Sequence, residues 1–137
     1  MIGIVVLAEK GLATGLLGAA VRTLGNQPPG LLAVAVDYAA PPETITDNIQ
    51  RALKDADYGR GVLILADLYG ATHTNLACRL LERGRIELVT GVNLPMLLKT
   101  LNYRQLGMDD LIDKALSGGG GGIVVAARSV PRQEAGG

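Results

Sequence analysis

Apolar residues in this chain form four runs, each about as long as a β-strand. The runs span residues 2–8, 31–36, 62–66 and 86–92, and they are rich in Val, Ile and Leu. A continuous apolar run of this length is typical of a strand buried on both faces, as in a parallel sheet. The pattern therefore predicts four strands within an α/β domain.

Helical spacing fills the segments between these runs. Gly25 and Gly84 stand where two of the helices would end, since glycine is the usual C-terminal cap. Apolar positions recur every three or four residues over 12–24, 45–56, 76–83, 94–101 and 108–116.

The C-terminal part of the chain has a different pattern. Ser117 precedes five consecutive glycines at 118–122, and an apolar stretch at 123–127 predicts a last short strand. Residues 129–137 lack periodic apolar positions, so we expect them to be disordered. The organisation predicted is a single domain over residues 1–128 with a disordered tail.

Regular alternation of strand and helix indicates a parallel sheet with helices on both faces, joined by right-handed crossovers. Ligands of such sheets bind outside the carboxyl ends of the strands. The residues that directly follow the predicted strands are therefore the candidates for function: 9–11, 37–38, 67–74 and Asn93.

Composition narrows the possible functions. The chain has 137 residues, a formal net charge of +0, one Cys and one His. The charge balance gives no sign of a nucleic-acid or anionic-membrane partner, and an intrachain disulfide is impossible. Neither a zinc site nor a cofactor motif is apparent. With no targeting signal or membrane span at the start, a cytoplasmic protein is expected.

The densest polar segment is the loop 67–75. Thr72 or Thr74 is positioned to cap the following helix, whose free N–H groups would suit an anion such as a phosphoryl group. Lys10 would lie beside this loop if the first and third strands are neighbours, where it would neutralise Asp67 or hold an anion. The plainer alternative makes Thr72 a cap only, Asp67 a turn residue, His73 a solvated side chain and Lys10 part of a surface ion pair.

Two further features receive structural interpretations. The glycine run follows a helix and precedes a strand, unlike a phosphate-binding loop, so we interpret it as a flexible connector. Such a connector allows the strand at 123–127 to cross to another subunit. Cys78 lies in an apolar helical pattern, which favours a buried core position over a reactive one.

A family resemblance rests on residues 61–75, GVLILADLYGATHTN, and 91–97, GVNLPML. Together they resemble the IIA component of the mannose family of the bacterial phosphoenolpyruvate-dependent sugar phosphotransferase system, over residues 1–125. Residues 114–118, KALSG, further resemble the stand-alone, regulatory members. The resemblance implies a four-stranded parallel sheet with a terminal strand exchanged in a homodimer.

The resemblance also implies a phosphocarrier. A histidine in a Thr-His-Gly motif after the first strand would take a phosphoryl group from the phosphocarrier protein HPr and pass it to a IIB partner. Asp67 would orient that histidine, and Thr72 would donate a hydrogen bond to the phosphoryl oxygens.

This chain departs from the motif, because Glu9-Lys10-Gly11 stands where the family has Thr-His-Gly. A lysine ammonium is protonated at neutral pH and is no nucleophile. His73 occupies a position where the family commonly has Pro, and it is either a relocated phosphoryl acceptor, a neutral substitution or part of an adapted binding loop.

We therefore expect a IIA-type protein with lost or altered phosphoryl transfer, and whether it is an enzyme stays open. The alternatives are a non-catalytic regulatory or anion-binding module that uses the same pocket, and a dimer kept for partner docking alone.

Overall fold

The computed structural model describes residues 1–132 and has the expected α/β architecture. Four strands alternate with helices, and two helices follow the last strand before a short terminal helix. In chain order the elements are β1 (Gly3–Glu9), α1 (Lys10–Leu24), β2 (Leu31–Val36), α2 (Pro42–Ala56), β3 (Val62–Ala66), α3 (Thr72–Cys78), β4 (Ile86–Thr90), α4 (Leu94–Asn102), α5 (Met108–Gly121) and α6 (Ala126–Ser129).

All four strands are parallel, in the order β2-β1-β3-β4. The central strand β1 pairs with both neighbours, so that Leu7 lies opposite Val34 on one side and Ala66 on the other. The first and third strands are therefore neighbours, which was the condition for Lys10 to lie beside the loop that follows β3. The residues that follow β1 and β3 emerge side by side at the carboxyl end of the sheet.

Side chains of the sheet point alternately to its two faces and pack into two separate hydrophobic cores. Ile4, Val6 and Ala8 of β1 face α1, α4 and α5, whereas Val5 and Leu7 face α2 and α3. Because β1 is covered on both faces, nearly all of its residues are buried, which explains its continuous apolar sequence.

The helix predicted over 76–83 has different bounds. It begins at Thr72 and ends at Cys78, after which the bonds Leu80 N–H to Ala77 O and Leu81 N–H to Cys78 O span only three residues. Tight turns therefore replace the α-helix before Gly84. Cys78 is exposed, so the prediction that it is a core residue is wrong. Its neighbour Ala77 takes the buried position instead.

The glycine run is not a flexible connector, and that interpretation was wrong. It forms the last turns of α5, against α4. A methyl group at Gly118 would lie 2.8 Å from Cβ of Lys99, and one at Gly119 would lie 2.7 Å from Cε of Met96. The helices approach so closely that only hydrogen atoms fit. Gly118 and Gly119 therefore form a packing surface, whereas a methyl group at Gly120 or Gly121 would meet no atom within 4 Å.

The fifth strand predicted over 123–127 is absent from the described residues. Ile123 to Val125 are exposed beyond the end of α5, and α6 takes up the second half of the predicted strand. Residues 123–125 pair with neither edge strand of the sheet, and the exchange of this segment between subunits stays a prediction. The tail predicted to be disordered starts at Ser129, which is the last residue of α6. Residues 133–137 of this tail lie outside the described part of the chain.

Candidate functional site at the carboxyl end of the sheet

Asp67 is the centre of the polar cluster that follows β3. Its Oδ2 accepts the backbone N–H of Glu9 at 3.1 Å, and its Oδ1 accepts the N–H of Leu68 at 2.8 Å and faces Nε2 of His73 at 2.7 Å. The carboxylate thus joins the end of β1 to the loop after β3. Only 7% of its side chain is exposed.

These contacts determine the ionisation of Asp67. Burial by itself raises the pKa of the carboxyl group, but the hydrogen bonds from His73, Glu9 and Leu68 and the charge of His73 outweigh burial. The net result is a pKa below its ordinary value. Asp67 is therefore an ionised hydrogen-bond acceptor.

His73 is buried, with only 1% of its surface exposed. The interpretation of this residue as a solvated side chain is therefore wrong. Because Asp67 is ionised, its bond to the ring is donated by Nε2–H, which leaves the lone pair of a neutral imidazole on Nδ1. The ring of Tyr38 stacks over the imidazole, with centroids 6.1 Å apart and planes inclined by 21°. Within residues 1–132, Nδ1 receives no hydrogen bond.

Neither threonine caps α3 with its side chain. Ala71 is the N-cap residue, and Thr72 is the first helical residue, with an exposed side chain. Thr74 is buried, and its hydroxyl donates to the carbonyl of Leu68 at 2.6 Å. The predicted cap is thus wrong, because Thr74 lies inside the helix and bonds back to the loop.

Lys10 lies at the junction between β1 and α1 and forms no ion pair with Asp67. Lys10 is the first residue of α1 and is exposed. Across residues 1–132 it forms no ion pair within 4.0 Å, so the expected pairing with Asp67 and the surface ion pair are both absent. Glu9 is the N-cap, and its Oε1 accepts the N–H groups of Gly11 at 2.8 Å and Leu12 at 3.1 Å.

Sequence reasoning did not identify the roles of Glu9 and Tyr38. Glu9 gave no signal because glutamate is not among the preferred N-cap residues. Tyr38 was noted only as a residue that follows a strand. Its contact with His73 depends on the spatial order of the strands, which brings the ends of β2 and β3 to the same edge.

A cavity of about 450 Å³ adjoins the buried imidazole, on the side of the sheet covered by α2 and α3. Three of its lining residues carry polar groups, namely Tyr38, Thr72 and His73. The rest of its wall is apolar and is formed by Val36, Ala40, Pro42, Ile45 and Ala71.

The sequence profile of the EIIA-man family, described as "PTS system fructose IIA component", matches residues 3–116. This range covers all four strands and helices α1 to α4. The chain belongs to the EIIA-man family. It is thus an EIIA-type protein of the mannose class of the phosphotransferase system, as the motifs in residues 61–75 and 91–97 indicated.

Known relatives of this EIIA-type chain agree with the assignment. The fructose-specific EIIA component of Bacillus subtilis is 38% identical over 79 residues, which are 55% of this chain and 54% of that protein. The mannose-specific EIIAB component of Escherichia coli K12 is 33% identical over 84 residues, which are 59% of this chain and 26% of that protein. The matched region thus spans about half and about a quarter of these curated relatives.

The fold is also that of a solved EIIA structure. The phosphotransferase component EIIA of Streptococcus agalactiae superposes with a TM-score of 0.82 and 26% identity, covering 93% of this chain and 99% of that chain. The predicted four-stranded parallel sheet is confirmed. Within residues 1–132, no helix combines the length and the apolar character that crossing a membrane requires.

Proposed function

We propose that this EIIA-type chain docks phosphotransferase partners but has lost phosphoryl transfer at residue 10. Under the resemblance, Lys10 stands at the position of the phosphorylated histidine. An ammonium group is charged at neutral pH and cannot attack a phosphoryl group. The chain would then act in the cytoplasm as a regulatory module that contacts an HPr-like phosphocarrier and a IIB-type protein.

The observation that carries this proposal is the position of the Glu9 carboxylate. It accepts the two backbone N–H groups at the start of α1 that would otherwise be free to bind an anion. A phosphoryl group near Lys10 would have to displace a tethered negative charge. The replacements at residues 9 and 10 therefore act in the same direction, one against phosphoryl binding and one against nucleophilic attack.

The same observation weighs against the anion-binding alternative at this end of the sheet. Thr72 is exposed and caps nothing, and Glu9 repels an anion from the α1 amides. Lys10 is the cation nearest to these groups in sequence, and the carboxylate beside it offsets its charge.

His73 has one feature that favours a relocated phosphoryl acceptor, namely its bond to Asp67, which resembles a carboxylate that orients a nucleophilic imidazole. Its burial opposes this role. The ring is 1% exposed beneath Tyr38, and in-line approach by a phosphohistidine of another protein requires an open face. We therefore assign phosphoryl transfer neither to His73 nor to Lys10.

Exposed apolar side chains around this edge support docking. Leu12, Leu68 and Tyr69 are exposed beside the β1–α1 junction and the β3–α3 loop. A cluster of exposed apolar side chains near polar groups is typical of a protein-binding surface. We assign this surface to the HPr-like and IIB-type partners.

Incubation with enzyme I, HPr and labelled phosphoenolpyruvate tests the loss of transfer. The wild-type chain should take up no acid-labile label, whereas the double variant Glu9→Thr, Lys10→His, which rebuilds the family motif, should become labelled. Lys10→His alone should gain less label, because Glu9 still occupies the helix amides. Label on the wild type that disappears in His73→Ala or in Lys10→Ala would contradict the proposal.

Docking has its own test, by titration calorimetry with HPr-like and IIB-type proteins. Tyr69→Ala should weaken binding, while Tyr58→Ala, an exposed tyrosine that follows α2 at the opposite end of the sheet, should leave it unchanged. Equal effects of the two substitutions would contradict the assigned surface.

We also propose a homodimer in which residues 123–127 pair with the partner subunit. Ile123, Val124 and Val125 are 78%, 59% and 55% exposed, which leaves their apolar surface available for burial. Light scattering on the full chain should give the mass of a dimer. The variant Val124→Asp should shift it toward a monomer, and a monomeric wild type would contradict the proposal.

A further inference from the structure

The cavity beside α2 and α3 is lined by His73 but not by Asp67. It measures about 450 Å³, which is within the range of small-molecule sites, and its wall is mainly apolar. We propose that this cavity binds a small, uncharged, mostly apolar molecule that donates one hydrogen bond to Nδ1 of His73. This inference concerns ligand binding and does not depend on the loss of phosphoryl transfer.

The first argument is a side-chain nitrogen without a hydrogen-bond partner in the described part of the chain, in a residue that lines the cavity. Asp67 takes the Nε2–H group of His73 and so fixes the lone pair on Nδ1 in the neutral ring. Nδ1 has no hydrogen-bond partner within residues 1–132. In the same residues, every side-chain nitrogen or oxygen that is fully shielded from solvent does have a hydrogen-bond partner. The small exposed area of this ring therefore includes Nδ1, and the cavity is the open space that the ring lines.

Charge determines the class of ligand. None of the eight residues that line the cavity is Lys, Arg, Asp or Glu. The Asp67 carboxylate bonded to the imidazole adds a negative potential, which opposes a phosphate or a carboxylate. A cation would meet no acceptor of opposite charge in the lining. An uncharged molecule with one O–H or N–H donor fits both the apolar wall and the lone pair.

Tyr38 gives the cavity an aromatic wall. It lies in the turn after β2, with 66% of its surface exposed, and its ring stacks on His73. A ligand that enters beside this ring would bury part of the exposed aromatic surface, which favours binding. Small rings that bear a hydroxyl group match these features and are suitable probes.

The single histidine allows a direct measurement. Nitrogen-15 NMR of the ring nitrogens reports only on His73, since the chain has one His. The chemical shifts of the two ring nitrogens themselves identify a pH at which the imidazole is neutral. At that pH, titration with benzyl alcohol or cyclohexanol should move the Nδ1 resonance saturably. Toluene, which lacks a donor, should leave Nδ1 in place, and inorganic phosphate should have no effect.

Variants then locate the binding event. Ala40→Leu fills the cavity and should abolish the saturable shift. Ala39→Leu, in the same turn but exposed and outside the lining, is the matched control and should keep it. Thr72→Leu narrows the cavity from the α3 side and should reproduce the loss, which keeps the test valid if Ala40→Leu fails to fold.

Several results would overturn the proposal. One is the absence of a saturable shift with every alcohol probe, and another is a shift that survives both cavity-filling variants in folded protein. Saturable binding of phosphate would identify an anion site instead. Movement of Nδ1 by toluene equal to that by benzyl alcohol would show that no hydrogen bond anchors the ligand.

Discussion

The loop 67–75 and the glycine run 118–122 both interrupt the apolar pattern of the sequence, but the structure uses them in opposite ways. In the loop, polar atoms bond to one another and join β3 to β1 through Asp67. In the glycine run, the missing side chains allow α5 to approach α4. Polarity stabilises the first region, and the absence of side chains stabilises the second. A break in the apolar pattern therefore does not by itself identify a functional site.

The largest loss of stability is expected when the hydrogen bonds of the loop 67–75 are removed. Asp67→Ala removes the acceptor for Glu9 N–H, Leu68 N–H and the His73 ring, and we expect a loss of about 3 kcal/mol in unfolding free energy, measured in urea. The matched control is Asp37→Ala, because Asp37 is exposed and its side chain accepts, within residues 1–132, only the N–H of Ala39 at 2.9 Å. The unfolding free energy lost in Asp37→Ala should be about 1 kcal/mol or less. Equal losses would show that the loop is not held by Asp67.

A second pair of variants tests the glycine run. Gly118→Ala places a methyl group against the Lys99 side chain, and overpacking of this kind should lower stability by about 1–3 kcal/mol. Gly120→Ala has no atom within 4 Å of the added group. It should raise stability by about 0.5–1 kcal/mol, since alanine favours the helix over glycine. Changes of the same sign in thermal or urea unfolding would contradict a packing role.

Much of the fold could be predicted, because the four strands are apolar throughout and alternate with helices. The site could be predicted only in its location. The ends of β1 and β3 meet because these strands pair, and Asp67 was placed there from its position after a strand. The partners of Asp67 were not predictable, because the bond to His73 depends on the path of a loop that contains Gly70 at a φ of +85°.

Two of the errors have a common physical cause, since they concern contacts between segments distant in sequence. The glycine run resembles a flexible connector until α4 is placed against it, and His73 resembles a solvated side chain until Tyr38 is placed against it. Local propensity cannot report such contacts, because tertiary packing overrides it. The family resemblance supplied the topology but not the contacts particular to this chain.

The smallest expected effect is the pH dependence of the stability that Asp67 contributes. Its hydrogen bonds hold the carboxyl pKa below the ordinary value of 3.8, so the unfolded chain binds more protons than the folded one in acid. The stability that ionised Asp67 contributes is therefore fully present above 3.8 and is lost as pH falls through the folded-state pKa.

The measurement is the difference in urea-unfolding free energy between wild type and Asp67→Asn, followed from neutral to acidic pH. A difference is needed because Asp57 also has a lowered pKa, mainly through the backbone N–H of Gly59, and it contributes equally to both proteins. The difference in unfolding free energy between the two proteins should become smaller in acid. Only part of the stability lost in Asp67→Ala should depend on pH, because burial opposes ionisation of the carboxyl group. A gap that stays constant or widens in acid would mean that the charge of Asp67 does not stabilise the loop.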